Sequence, residues 1–143
     1  MSHRSGLASH KAVDRVIYAG TDDGLFCLSR RDGSTHEVEL LGLRGQGMVA
    51  HPVVVDPADP DRLYAGTYRG GVWRSTDGGR SWCERNDGIL YKEVWSLAQH
   101  PRTGALYAAT GPSSVFRSAD GGQHFAQIVT GLDGWVRHML VTR

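Results

Sequence analysis

Three segments of this chain resemble one another, and this internal repeat constrains the fold more than any other feature. They are YAGTDDGLFCLSRRDG from Tyr18, YAGTYRGGVWRSTDGG from Tyr64 and YAATGPSSVFRSADGG from Tyr107. Successive tyrosines are 46 and 43 residues apart. Four short antiparallel strands with their turns need a period of about 40–45 residues, which is typical of one propeller blade. The repeat therefore predicts an all-β chain, a β-propeller built of four-stranded antiparallel blades.

Apolar and alternating segments bounded by turn residues predict the strands of each repeat. Pro57 and Pro101 mark the ends of two of these strands, because proline has no N–H to donate to a ladder. The predicted strands are 16–21, 25–28 and 36–40 in the first repeat, 49–56, 63–67, 72–76 and 81–85 in the second, 94–99, 106–110, 115–118 and 124–128 in the third, and 135–142 after it.

The ends of the chain complement each other in this scheme. Residues 1–14 are a polar extension, and residues 15–143 form a partial propeller. Blade 1 (15–41) lacks its first strand, and complete blades follow at 48–86 and 93–129. An extra first strand at 135–142 comes after them. These strands amount to three blades, whereas closed propellers have about four to eight. The chain is therefore expected to be the N-terminal part of a longer propeller or half of a homodimer that closes a six-bladed ring.

Charge and composition exclude several classes of function. A formal net charge of +1 gives no basic surface for nucleic acid, and no apolar run is long enough to span a membrane. The polar N-terminal sequence has no apolar core of a secretion signal, and two cysteines make no disulfide framework, so we expect a cytoplasmic protein. The seven histidines are scattered without metal-ligand spacing, so we expect no metal and no cofactor.

A second pattern recurs at the turn between the third and fourth strands. Ser75, Asp77, Gly79 and Trp82 fit S-x-D-x-G-x-x-[WF], and Ser118, Asp120, Gly122 and Phe125 fit it again. An aspartate that accepts turn N–H groups, a glycine with positive φ and an aromatic that folds back on the sheet would stabilise such a corner. The first repeat has a degenerate version around 29–33, with the aspartate out of register and no aromatic.

This motif resembles the Asp-box, or BNR repeat, of sialidase-like β-propellers, and the chain is most similar to bacterial WD40/YVTN/BNR-like repeat proteins. The resemblance covers about residues 15–143 and implies a propeller fold. In sialidases an early [FY]-R-I-P motif supplies the first arginine of a carboxylate clamp, but here Arg15 is followed by Val16-Ile17-Tyr18. We therefore expect no catalytic residues and a binding or scaffolding platform. The alternatives are a sialidase-like glycoside hydrolase and a lectin-like oligomer.

The resemblance also implies a functional face opposite the Asp-box corners. That face is built from the turns between second and third strands and from the starts of the first strands. The residues at these places that could contact a protein or carbohydrate ligand are Asp22, Asp23, His51, Tyr68, Arg69, Trp95 and Arg137, with 112–114 in the third such turn.

Overall fold

A computed structural model describes residues 13–31, 33, 35–49, 53–134, 136–137 and 139–142. Within these residues the chain is all-β and without helices. The strands are β1 (Val13–Thr21), β2 (Gly24–Arg31), β3 (His36–Gly42), β4 (Val54–Val55), β5 (Leu63–Thr67), β6 (Gly71–Ser75), β7 (Cys83–Glu84), β8 (Glu93–Gln99), β9 (Leu106–Gly111), β10 (Ser114–Ser118) and β11 (Ala126–Thr130).

The strands form three antiparallel meanders in chain order. Sheet 1 has the order β1-β2-β3, sheet 2 the order β4-β5-β6-β7 and sheet 3 the order β8-β9-β10-β11. Sheet 1 has three strands and the others have four, as the repeat predicts. β1 begins at Val13 rather than at the predicted residue 16, because Val13 pairs with Arg31 beyond an irregularity in the ladder.

Three predicted strands are shortened or displaced by two residues or more. β4 covers only Val54–Val55 of the predicted 49–56; Val49 makes an isolated bridge to Thr67, and residues 50–52 lie outside the described residues. β7 starts at Cys83 because the backbone N–H of Ser81 donates to the Asp77 carboxylate instead. β11 starts two residues late because the His124 N–H donates to the Asp120 carboxylate and the Phe125 N–H donates to the Asp87 carbonyl.

The three sheets share one arrangement of side chains on their two faces. We call the face that carries Phe26, Trp73 or Phe116 the front, and the face that carries Tyr18, Tyr64 or Tyr107 the back. On each front, the aromatic residue of β2, β6 or β10 stands directly opposite an alanine of β1, β5 or β9. The pairs are Ala19–Phe26, Ala65–Trp73 and Ala108–Phe116. On each back, the tyrosine stands opposite Cys27, Arg74 or Arg117.

The sheets stack so that each back meets the next front. One core combines Leu25, Leu41 and Leu43 of the first repeat with Ala65, and Trp73 and Trp82 pack against it. The second core combines Tyr64 and Val72 of sheet 2 with sheet 3 residues, among them Leu97, Leu106 and Phe116. This stacking leaves two faces without a sheet against them in the described structure, namely the front of sheet 1 and the back of sheet 3.

The strand predicted at 135–142 is not formed by its described residues. Residues 136–137 and 139–142 have no ladder partner, while Trp135 and His138 lie outside the described residues. The segment lies beside β8, where the Met139 N–H donates to the Ser96 hydroxyl at 3.2 Å and Met139, Leu140 and Val141 border an apolar groove with β4 and β8. A strand requires a second backbone edge, and the neighbours here offer side chains instead.

Two smaller observations complete the fold. The described part of the chain contains no helix long and apolar enough to cross a bilayer.

Cys27 and Cys83 are free thiols. The apolar runs around them predict that both are packing residues, but only Cys27 packs against a core; Cys83 lies exposed on the short edge strand β7.

Candidate functional site

The turns β1–β2, β5–β6 and β9–β10 lie at the end of the stack opposite the β6–β7 and β10–β11 corners, as hairpin topology requires. We call this end the rim. Asp22 and Asp23 are exposed in the β1–β2 turn. The Asp23 carboxylate forms an exposed ion pair with Arg44 at 3.1 Å, and its backbone N–H donates to the Thr21 hydroxyl. Asp23 therefore joins the turn to the chain that leaves β3.

Trp95 is placed at the rim by a β-bulge. Val94 pairs with Thr110 and Ser96 with Ala109, so Trp95 is an extra residue between them. Val94 and Leu97 on either side point into the core between sheets 2 and 3. A bulge of this kind turns one side chain away from the strand's regular alternation, and bulges are common beside functional sites.

Three predicted site residues meet at this bulge. The ring centroids of Tyr68 and Trp95 are 4.5 Å apart at an interplanar angle of 44°. The Arg137 guanidinium carbon lies 5.9 Å from the Trp95 ring centroid, within reach of a cation–π interaction. The three residues come from the β5–β6 turn, from β8 and from the C-terminal segment. We call Tyr68, Trp95 and Arg137 the rim cluster.

The loop after β3 holds the tyrosine side of the cluster in place. The N–H of Tyr68 donates to the Met48 carbonyl at 3.1 Å, and that of Arg69 donates to the Gln46 carbonyl at 2.8 Å. Within the turn, the Thr67 hydroxyl accepts from the Gly70 N–H and donates to the Gly71 carbonyl. The turn is thus fixed by backbone contacts on both sides, which leaves the Arg69 side chain exposed.

Charges of both signs act on the cluster. Partial burial raises the pKa of the Tyr68 phenol, Arg137 opposes this rise and Glu93 adds to it. Tyr68 is therefore a neutral phenol at physiological pH, with a cation and a carboxylate nearby. Such a surface offers aromatic area, hydrogen bonds and charge, which is the composition of protein–protein hot spots and of sugar-binding surfaces.

An open groove of about 530 Å³ lies at the same end of sheet 3. Glu93 lines it together with Pro112 and Ser113 of the β9–β10 turn and with Ser114 at the start of β10. Tyr91 and Leu132 close its sides. Because Glu93 borders the groove and also acts on Tyr68, the groove and the rim cluster are neighbours.

The remaining predicted residues divide into two groups. Asp22 and Arg69 are exposed and make no side-chain contact that joins them to the rim cluster in the described structure. His51 lies outside the described residues. Sequence reasoning missed Arg44 as the partner of Asp23, because no spacing rule connects residues on opposite sides of a β-strand pair.

The two corners at the opposite end have the same hydrogen-bond pattern. In corner 1 (residues 75–82) the Ser75 hydroxyl donates to Asp77 and accepts from the Gly79 N–H, and the Ser81 N–H and hydroxyl both donate to Asp77. These bonds lower the pKa of Asp77 to about 2. Gly79 has φ +93°, and the Trp82 indole N–H donates to the Leu41 and Gly79 carbonyls at 3.0 Å each.

Corner 2 (residues 118–125) replaces the second serine by His124. The Ser118 hydroxyl donates to Asp120 and accepts from the Gly122 N–H, as in corner 1. The Asp120 carboxylate accepts from the His124 N–H at 2.9 Å and lies 2.7 Å from the His124 ring. This pairing lowers the pKa of Asp120 and raises that of His124. Both corners are compact structural turns and leave no free carboxylate oxygen for a metal.

The described residues hold no cluster of three or more His, Cys, Asp or Glu side chains that could bind a metal ion. The rim cluster and the groove offer aromatic rings, hydroxyl groups and charges of both signs, a combination suited to recognition.

Comparison with solved structures decides the fold. The GH74 xyloglucanase from Xanthomonas campestris superposes over 82% of this chain with a TM-score of 0.58 and 20% sequence identity. A structure described as YCF48 bound to D1 peptide superposes over 79% with a TM-score of 0.52 and 19% identity. Both are β-propeller proteins. The chain is a partial β-propeller.

The likeness of this partial β-propeller to those proteins is one of fold. The chain spans 22% of the length of the xyloglucanase and 37% of that of YCF48. No protein-family model matches the sequence, and no curated protein does either.

Proposed function

We propose that this chain is a non-catalytic Asp-box propeller platform, each of its sheets a blade, that binds a protein segment through the rim cluster. The observation that carries the proposal is the contact of Tyr68, Trp95 and Arg137 across two sheets and the C-terminal segment. Tyr, Trp and Arg are the residues most enriched at interface hot spots. The D1 peptide bound to YCF48 supports a peptide ligand for a propeller of this kind.

The neighbouring groove supports an extended ligand. A peptide chain that covers the rim cluster would continue along this groove, past Pro112 and Ser113 of the β9–β10 turn and beside Glu93. Glu93 would favour a basic side chain in the groove, whereas Arg137 would favour an acidic one beside Trp95. The proposed ligand is therefore a peptide with charges of both signs around an apolar or aromatic residue.

The test is selection of random-sequence peptides on the purified chain, followed by affinity measurement on the variants Arg137→Ala and Trp95→Ala. Removal of a hot-spot residue should weaken binding about tenfold or more, equivalent to ~1.4 kcal/mol. Arg102→Ala is the matched control, because Arg102 is an exposed arginine in the β8–β9 turn, away from the cluster. Thermal melts verify that each variant is folded. Selected peptides that bind Arg137→Ala and the parent chain equally would contradict the proposal.

A carbohydrate ligand is the second candidate. The Tyr68 and Trp95 rings beside a polar groove favour it, and one similar structure is a xyloglucanase. A glycan panel that includes xyloglucan and sialylated oligosaccharides distinguishes the two: binding of a glycan that Trp95→Ala removes, without peptide binding, would replace the peptide proposal. Release of free sugar from either glycan would instead favour the glycoside hydrolase alternative.

A further inference from the structure

The front of sheet 1 is an apolar surface with no sheet against it in the described structure. Two cross-strand rows form it, Ala19–Phe26–Leu40 and Ile17–Leu28–Val38. Ile17 is 49% exposed and Val38 is 65% exposed. On sheets 2 and 3 the corresponding alanines, Ala65 and Ala108, are fully buried by the preceding sheet. The front of sheet 1 therefore has the apolar composition of a buried face, although it is exposed to solvent.

The back of sheet 3 is the complementary open face. Tyr107 and Arg117 stand there at the positions of Tyr64 and Arg74 in sheet 2. Tyr64 is buried in the core between sheets 2 and 3, and Arg74 donates to the Gly121 carbonyl of corner 2 at 3.2 Å. Arg117 instead lies exposed over the Tyr107 ring, 6.0 Å from its centroid. The residues that attach sheet 2 to its successor thus recur on sheet 3 without a successor.

Within the described residues, sheet 1 also has an unpaired strand edge, that of β1. In the described structure β1 pairs with β2 alone, so sheet 1 lacks the fourth strand that sheets 2 and 3 possess. The C-terminal segment lies on the back of sheet 3 beside Ser96 and has no ladder partner of its own. Any sheet stacked on the back of sheet 3 would bring its first strand next to this segment.

We propose that a second copy of this chain occupies both open faces, with the front of sheet 1 in each copy stacked on the back of sheet 3 in the other. The contact repeats the back-to-front stacking that already joins sheets 1 and 2 and sheets 2 and 3. In this arrangement residues 136–142 of one copy pair with β1 of the other and complete its four-stranded sheet. Two copies form a ring of six sheets, which lies within the range of about four to eight that propellers use.

The first measurement is the native mass of the chain by light scattering across a concentration series. The proposal expects a dimer of twice 15.6 kDa. Ile17→Asp places a charge on the front of sheet 1 and should weaken dimerisation at least about tenfold. Val16→Asp is the matched control: Val16 is the adjacent residue, is 47% exposed and belongs to the opposite face, so its dimer should remain.

Mixing two variants tests the head-to-tail geometry. Val129→Asp alters the back of sheet 3, where Val129 pairs with Val115. Each of Ile17→Asp and Val129→Asp should be weakened as a dimer alone, but their mixture retains one intact front-to-back contact and should form a heterodimer. A front-to-front dimer would leave Val129→Asp dimeric by itself, and that result would overturn the proposal.

Hydrogen exchange tests the strand addition. Amides of residues 136–142 should exchange more slowly in the dimer than in folded, monomeric Ile17→Asp, whose circular dichroism spectrum should match that of the parent chain. A parent chain that stays monomeric at every concentration, or a dimer that Ile17→Asp leaves intact, contradicts the second copy as occupant. A dimer without slower exchange at 136–142 contradicts the strand pairing.

Discussion

At the scale of single residues, one position distinguishes two otherwise equal corners. Ser81 donates its hydroxyl to Asp77, whereas the equivalent His124 sits against Asp120 and also 3.5 Å from Asp87. A serine hydroxyl donates at any pH, but an imidazole carries a charge only when it is protonated. Corner 2 therefore responds to pH in a range where corner 1 does not.

His124→Ser should remove this response. Because the folded pKa of His124 is raised, its contribution to the free energy of unfolding is complete below the unfolded value of about 6.5 and is lost as pH rises through the folded value. The melting temperature of the parent chain, relative to the variant, should fall as pH increases from about 6.5 through the folded value. Melting curves across a pH series measure this, and a difference that stays constant with pH would contradict the role of the pair.

Asp77→Ala tests the contribution of the Asp77 carboxylate to corner 1 at acidic pH. The folded pKa of Asp77, about 2, lies below the usual aspartate value of 3.8. The carboxylate therefore stabilises the fold above the higher value, and this contribution disappears as pH falls through the lower one. The variant should melt below the parent at neutral pH, and the gap should narrow between about pH 4 and pH 2. Equal melting temperatures at neutral pH would show that the corner tolerates loss of the carboxylate.

At the scale of elements, Trp82 connects a corner to the neighbouring sheet. Its indole N–H donates to the Leu41 carbonyl at the end of β3, and its ring packs against the core between sheets 1 and 2. The corner therefore belongs both to its own hairpin and to the contact between sheets.

Trp82→Ala should lower the free energy of unfolding by about 3 kcal/mol, at the low end for a large aromatic because the ring is only half-buried. Trp82→Phe keeps most of the ring and loses the indole hydrogen bonds, so it should cost about 1 kcal/mol. Urea unfolding of both variants gives the two values. A loss from Trp82→Phe as large as that from Trp82→Ala would assign the stabilisation to the hydrogen bonds.

The repeat in the sequence is sufficient to predict three sheets of successive antiparallel strands, because hydrophobic alternation and turn residues act locally. It does not predict where β4, β7 and β11 begin and end, and the described residues of 135–142 form no strand. It could not predict the bulge at Trp95, since the extra residue becomes visible only against its ladder partners Thr110 and Ala109. That bulge is what brings Trp95 to Tyr68. The positions of site residues follow from topology, but their contacts do not. The rim cluster depends on packing between sheets, and the ion pair of Asp23 with Arg44 depends on the path of the chain after β3.

At the scale of the whole molecule, burial is distributed unevenly along the stack. β5 is buried throughout, and β9 is buried except at Tyr107. β11 is exposed along its whole length, and β3 is exposed except at its end. The middle of the stack thus contains most of the core, and the outer strands of the end sheets contribute little to it.

Hydrogen exchange of the monomeric variant Ile17→Asp should follow this gradient. Amides of β5 and β9 should exchange most slowly, because they open only with the core between sheets 2 and 3. Amides of β3 and β11 should exchange orders of magnitude faster. Uniform protection across all three sheets would mean that the monomer unfolds as a single cooperative unit.

The front-to-back stacking also bears on how such a chain can change over generations. Each sheet contacts only the sheets before and after it, so duplication of one repeat inside a gene adds a unit without altering any existing neighbour pair. Loss of a repeat is tolerated for the same reason. Lineages can therefore vary the number of units while they keep every interface, and new binding surfaces can arise at the rim of a copy that its ancestors do not depend on.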